Sequence, residues 1–222
     1  MGPRKLVIFG TEAIARMAHF YFTTASDYEV CAFTVDREYL RANSFCDLPV
    51  IAFEEVAARF PPSDYSMFVA IGYTKMNKVR EVKYYAAKAL GYALATFISP
   101  RCSFLTALPI GDNCLIMEDN TIQPFVRIGS DVIMWSGNHV GHDAVIEDHC
   151  FLTSHVVVSG FTRIGRNSFL GVNATLRDAI MIAPETLVGA GAVIMKDTVE
   201  KGVYLPTRAV LFDKKSDEIT VS

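Results

Sequence analysis

Four of the five histidines lie close together in the chain: His139, His142, His149 and His155. Imidazole is the side chain whose charge changes near neutral pH, so such a cluster suggests either metal ligation or proton transfer. Spacings of three, seven and six match no familiar zinc pattern, and no Cys or His pair completes one, so no metal is expected. His142 is the strongest candidate for proton transfer because Asp143 follows it. A carboxylate beside an imidazole fixes the ring's tautomer and stabilises its cation. Such a pair could act as a general base that takes the proton of an attacking nucleophile. The alternative for each histidine is an imidazole on a repetitive surface.

The element that must position these residues is a repeat of six. From Ile110 to Ile194 the first residue of every hexad is Ile, Val, Leu or Met, in a chain that is 51% apolar. The fifth residue, from Cys114 to Thr198, is never charged or aromatic. Six does not match the three-and-four spacing of an amphipathic helix, nor the plain alternation of a half-buried strand. A short strand followed by a corner does match it, and three of these close a triangular coil of eighteen residues. Side chains eighteen apart then stack into three walls. Ile110, Ile128, Ile146, Ile164 and Ile182 form the first; Ile116, Met134, Leu152, Leu170 and Val188 the second; Ile122, Val140, Val158, Leu176 and Ile194 the third. The expected fold is a parallel β-helix of about five coils with a rise of about 4.8 Å per coil. His142, third in its hexad, faces outward. Cys114 and Cys150 face inward, which favours buried free thiols over disulfides among Cys31, Cys46, Cys102, Cys114 and Cys150.

Hexads such as Ile110-Gly-Asp-Asn-Cys-Leu and Ile164-Gly-Arg-Asn-Ser-Phe resemble the repeats of acyltransferases with a left-handed β-helix. That resemblance implies a homotrimer with acyl-CoA in the groove between neighbouring subunits. The segment Gly141-His-Asp-Ala-Val-Ile-Glu-Asp-His-Cys150 is similar to a narrower group, the bacterial sugar acyltransferases. These include nucleotide-sugar N-acetyltransferases of the bacillosamine, perosamine and viosamine type and sialic acid O-acetyltransferases. The likeness covers nearly the whole chain. It implies His142 as general base oriented by Asp143, and acetyl-CoA as co-substrate near Phe151, Val172 and Ala190. It also implies a nucleotide-linked amino sugar as partner, held by the first domain through its glycine loop and Asp36. The chain departs from the family at Gly10-Thr-Glu-Ala-Ile-Ala, which is poorer in glycine, and at Tyr204-Leu-Pro-Thr207, where Gly-x-Pro-Ala is usual.

Ahead of the repeat, strands are expected over residues 5–10, 29–35, 65–71 and 93–98. Helices are expected over residues 12–22, 53–60 and 75–90. Alternation of this kind makes a small Rossmann-like parallel sheet covered on both faces, with ligands beyond the carboxyl ends of its strands. Gly10-Thr11, Asp36-Arg37 and Gly72 fall at those ends, where an acid can accept from a ribose and a helix start can receive a diphosphate. Plain turn residues and a solvated strand end are the alternative. The domains expected are residues 1–98, a nucleotide-sugar-binding α/β unit; 99–202, the β-helix; and 203–222, a tail that caps the last coil.

A net charge of -3 gives no basic footprint for nucleic acid, and no apolar run is long enough to span a bilayer. The start lacks a secretory apolar stretch, and with free thiols this points to the cytoplasm. The chemistry expected is acetyl-CoA-dependent N-acetylation of a nucleotide-linked amino sugar. Sugar or sialic acid O-acetylation is the alternative, followed by a non-enzymatic β-helix scaffold. A γ-type carbonic anhydrase fits least, for want of its histidine metal spacing.

Overall fold

The computed structural model describes residues 2–211 and 213–218. Its first domain is a five-stranded sheet in the order β3-β4-β2-β1-β5. The strands are β1 (Arg4–Phe9), β2 (Tyr28–Val35), β3 (Ser44–Phe45), β4 (Leu48–Ala52) and β5 (Tyr65–Val69). All pairings are parallel except the β3–β4 hairpin. Helix α1 (Ala13–Ala25) connects β1 to β2; α2 (Val56–Arg59) precedes β5, and α3 (Lys78–Ala89) follows it. Strands β1 and β5 are continuous apolar runs because both sheet faces are covered: Leu6, Val7 and Ile8 are fully buried.

Two departures from the sequence reading concern this domain. The hairpin of β3 and β4 went unread because its strands are short and Pro49 interrupts the second. The strand expected over 93–98 is divided: Leu94 makes a single bridge to Met67, while Phe97–Ile98 pairs with Leu115–Ile116. An apolar run cannot by itself reveal that its two ends join different sheets.

The remainder is a left-handed parallel β-helix whose rungs are two-residue strands. Its three sheets hold the three columns read from the sequence, each rung paired in parallel eighteen residues from the next. Inward residues from Ile116 to Ile194 form one continuous core, with Cys114 and Cys150 inside it. Burial pushes both thiols up to about 12. Val203–Tyr204 adds a final rung to the second wall, against Leu187–Val188, and Tyr204 packs on the core.

From residue 113 to residue 191 each corner is turned by a residue with positive φ, and these recur at intervals of six. They run Asn113, Asp119, Phe125, Asp131, Gly137, Asp143, His149, His155, Phe161, Asn167, Asn173, Ala179, Glu185 and Gly191. Left-handed backbone disfavours most L-residues and is most tolerable for Gly, Asn, Asp and His, which dominate this series.

The first domain sits on the second wall. Outward residues Leu115, Ile133 and Phe151 are fully buried there, in one cluster with Phe22 and Phe97 and with Ile14, Met17 and Tyr21 at its margin. A buried polar joint secures the same face. Arg80, wholly buried on α3, lies 3.0 Å from the Asp131 carboxylate and donates to the carbonyls of Gly72, Asp131 and His149.

Candidate functional site

The β-helix separates histidines that are neighbours in sequence. His139 lies on a strand of the third wall, and His142 on the corner between the third and first walls. His149 is buried at the corner between the first and second walls, its Nδ1 2.8 Å from Asp131. His155 turns the corner between the second and third walls, its ring over Gly137. Among the described residues no three His, Cys, Asp or Glu side chains are placed to hold a metal ion.

His142 is the one of the four that stands exposed beside its own carboxylate. Its Nδ1 is 3.0 Å from Asp143 Oδ2, with side-chain exposures of 52% and 41%. The left-handed φ of 58° at Asp143 turns this side chain along the corner beside the imidazole. An ionised carboxylate can only accept, so the shared proton sits on Nδ1 and Nε2 presents a lone pair. The His142 backbone N–H donates to Gln123 Oε1 at 2.8 Å, tying the corner to the preceding coil. Gly160, eighteen residues on, lies against the ring: a Cβ there would stand 3.0 Å from Nε2. Phe161 meets the ring edge to face, with centroids 4.9 Å apart. Gln123, Gly160 and Phe161 escaped the sequence reading, although counting eighteen either way from His142 leads to their neighbourhood.

A cleft of about 520 Å³ opens at the carboxyl ends of β1 and β2, lined among others by Gly10, Thr11, Asp36, Tyr39 and Arg41. Gly10 has φ +119°, and a Cβ there would stand 2.8 Å from the Ala70 carbonyl oxygen, so a side chain is excluded. Asp36 is held by Lys83 Nζ at 2.6 Å. Two expected ligand residues lie apart from this lining: Arg37 pairs with Glu55, and the Gly72 carbonyl accepts from Arg80. Tyr39 and Arg41 went unread because the loop carrying them has no motif.

Of the residues expected near acetyl-CoA, Val172 and Ala190 are exposed, one coil apart, on the corner between the second and third walls. Phe151 is fully buried on the second wall, against Tyr73 and stacked with Phe169. Its side chain is therefore taken up by the packing between domains. Close by, Tyr21 on α1 donates to Glu118 at 2.6 Å, and burial together with that carboxylate pushes its phenol up.

The acetyltransferase domain of PglB from Neisseria gonorrhoeae FA1090 has the same architecture. It is 25% identical, with a TM-score of 0.81 over 91% of this chain and 97% of that one. The same domain in complex with acetyl coenzyme A is 28% identical over 88% of this chain and 93% of that one, with a TM-score of 0.77. PerB from Caulobacter crescentus, in complex with CoA and GDP-perosamine, shares the fold at 24% identity, with a TM-score of 0.80 over 91% and 94% of the two chains. In sequence, the chain is 29% identical over 99 residues to the acyl-(acyl-carrier-protein)–UDP-N-acetylglucosamine O-acyltransferase of Stutzerimonas stutzeri. The match covers 41% of this chain and 38% of that protein, so the chain spans well under half the length of the curated relatives it matches. No protein-family model matches the chain. By fold the chain is similar to these sugar acetyltransferases built on a left-handed β-helix.

Proposed function

We propose that the chain transfers acetyl from acetyl-CoA to the amino group of a nucleotide-linked amino sugar, with His142 as general base. The observation that carries this reading is the imidazole–carboxylate pair at an exposed corner, where Asp143 engages Nδ1 and leaves Nε2 without a side-chain partner among the described residues. An amine of ordinary basicity arrives protonated at neutral pH, and Nε2 removes that proton directly or through a water. The nitrogen attacks the thioester carbonyl, and a backbone N–H stabilises the oxyanion. Collapse expels the CoA sulfur, which takes the proton from the imidazolium, while the second proton on the attacking nitrogen passes to water and leaves the neutral amide. Asp143 holds the ring and its cation throughout. The bound acetyl coenzyme A of the PglB domain supports the choice of donor. The GDP-perosamine of PerB supports the class of acceptor.

Completion of the site requires a second copy of the chain. The cleft beside Gly10 and Thr11 belongs to a domain seated on the second wall, whereas His142 stands on the edge where the other two walls meet. A homotrimer would set the His142 edge of one copy beside the Val172 and Ala190 corner of the next, leaving a groove for the pantetheine arm. In that reading Gly10 and Thr11 admit the diphosphate and Arg41 supplies a cation. Asp36, shared with Lys83, accepts from the ribose or base, while Arg37 and Gly72 shape the loops behind them. In that reading the protein works in the cytoplasm, where acetyl-CoA and nucleotide-linked sugars are made.

The test is thiol release from acetyl-CoA in the presence of UDP-, dTDP- and GDP-linked amino sugars. One of these should be turned over, and His142→Ala should lower that turnover by roughly 10²–10⁴. Near-wild-type turnover in the variant would end the assignment. The curated relatives, named as O-acyltransferases, favour O-acylation as a second reading. A hydroxyl acceptor turned over faster than every amine would establish it.

A further inference from the structure

Two of the left-handed corners are occupied by phenylalanine, a residue for which that backbone is costly. Phe125 (φ 68°) and Phe161 (φ 59°) stand one coil before and one coil after Asp143 on the same edge. Both are solvent-facing, at 64% and 61% exposure, so neither is held there by burial in the core. Elsewhere the series uses residues that tolerate the conformation, mainly Asn, Asp, His and Gly. A bulky apolar residue kept in an unfavourable conformation and in water is an outlier whose explanation lies in what it touches.

The two differ in that respect. Phe161 directs its ring edge to face against His142, at 4.9 Å and an interplanar angle of 89°. Among the described residues it is the one aromatic ring packed on that imidazole. The other side of the ring rests against Gly160, where the absence of a Cβ leaves room for Nε2. The carboxylate of Asp143 fixes the proton but not the plane, because an imidazole can pivot about a single hydrogen bond. Gly160 beneath and Phe161 at the side supply the missing constraint.

We infer that Phe161 is a positioning residue for the base: its ring holds the His142 imidazole in the plane from which Nε2 meets the acceptor. This rests on the reading of His142 as base. A base displaced by a fraction of an ångström from its proton loses rate without losing substrate affinity.

The experiment compares Phe161→Asn, Phe161→Tyr and Phe125→Asn, using acetyl-CoA and the best acceptor from the nucleotide-sugar screen. Asn suits a left-handed corner, so Phe161→Asn should still fold; a cooperative melt and the wild-type oligomeric state by size-exclusion chromatography separate its effect from unfolding or loss of assembly. Its kcat should fall about 10-fold with both KM values within about 2-fold, and Phe161→Tyr should restore most of that loss. Phe125→Asn removes similar exposed apolar surface without removing a ring from His142, and should leave kcat within about 2-fold. In a His142→Asn background, Phe161→Asn should have no further effect, since residues acting through one group are not additive. Unchanged kcat in Phe161→Asn, a loss carried by KM, or an equal loss in Phe125→Asn would overturn the inference. If His142→Asn abolishes turnover while Phe161→Asn leaves kcat unchanged, the base assignment stands and this inference alone falls. If His142→Asn keeps wild-type turnover, both fall.

Discussion

The joint between the domains offers a sharp test of what holds the two units together. Arg80 and Asp131 are both completely buried and lie 3.0 Å apart. The guanidinium also donates to the carbonyls of Gly72, Asp131 and His149 at 3.0–3.1 Å, and to Asn77 Oδ1 at 3.1 Å. Asp131 accepts from Asn113 at 2.7 Å, and its second oxygen is 2.8 Å from His149 Nδ1. Replacing Arg80 by Met keeps the length of the side chain but strands a buried carboxylate and several buried carbonyls. Breaking a buried pair from one side costs about 3–5 kcal/mol. Asp131→Asn leaves the guanidinium buried without a counter-charge, a loss of about 3 kcal/mol at the low end of the same range. Once one partner is gone the other has less to lose, so the double variant should be more stable than the sum of the singles by about 2 kcal/mol or more. For a chain of this size, 1 kcal/mol corresponds to about 2–4 °C in Tm, so Arg80→Met should melt about 6–20 °C lower. The assay is thermal and urea unfolding of all four proteins at one fixed protomer concentration. Single variants that each lose less than about 1 kcal/mol, and add in the double, would refute the view that this pair secures the domain to the second wall.

Other outcomes follow from the same coordinates. Gly160→Ala should lower kcat about 10-fold while leaving Tm nearly unchanged, because the new methyl group would press on Nε2 from 3.0 Å; the check is steady-state kinetics beside a melting curve. Leu152→Ala, in the middle of the second wall with no exposed surface, should cost about 2–5 kcal/mol in urea unfolding. Cys114 and Cys150 should resist a thiol reagent at pH 8 until the protein unfolds. Their folded pKa, raised by burial from 9.0 to about 12, gives a second signature. The stability gained by keeping them protonated is complete below pH 9 and is lost as pH rises towards 12. Unfolding free energy should therefore fall above pH 9, and fall less steeply in a Cys114→Ala/Cys150→Ala variant.

The β-helix was legible because its signal is geometric and redundant. Each wall is specified by at least five apolar residues eighteen apart, and a slip in register would expose a whole column, from Ile128 to Ile182 for example. The outward setting of His142 followed from the same count. The first domain was legible at its long apolar strands and not where tertiary pairing decides, as in the hairpin of β3 and β4 or the division at Leu94 and Phe97. The burial of Phe151 was beyond reach for a similar reason: its hexad position faces outward, and only the docked domain, with Tyr73 against its ring, removes it from solvent. Lys83 reaching Asp36 across the sheet has no sequence signature at all.

One backbone requirement connects the chemistry to the fold. Every sixth residue must adopt a left-handed turn, and the residues that do so at least cost are Gly and the short polar or imidazole side chains. The corners therefore collect Asp, Asn and His for structural reasons before any reaction is considered. On the edge under α3 the series Asn113, Asp131, His149 and Asn167 is used to receive Arg80, Asn77 and Glu81, which locks a domain in place. On the opposite edge the same position supplies Asp143, and the residue before it, His142, is left in solvent with an oriented ring. His142, His149 and His155 thus looked alike in sequence because all three fall at corners of the repeat, and only the neighbour across the corner tells them apart. Where a helix covers the edge, the polar corner becomes a buried clasp; where nothing of its own chain covers it, the corner is free to meet a substrate. On this argument, transplanting the covering contacts should silence the base. A Gly160→Arg substitution, which lays a long side chain over His142, should abolish turnover while the β-helix still folds cooperatively, and retention of activity in that variant would show that exposure of this edge is not what makes it reactive.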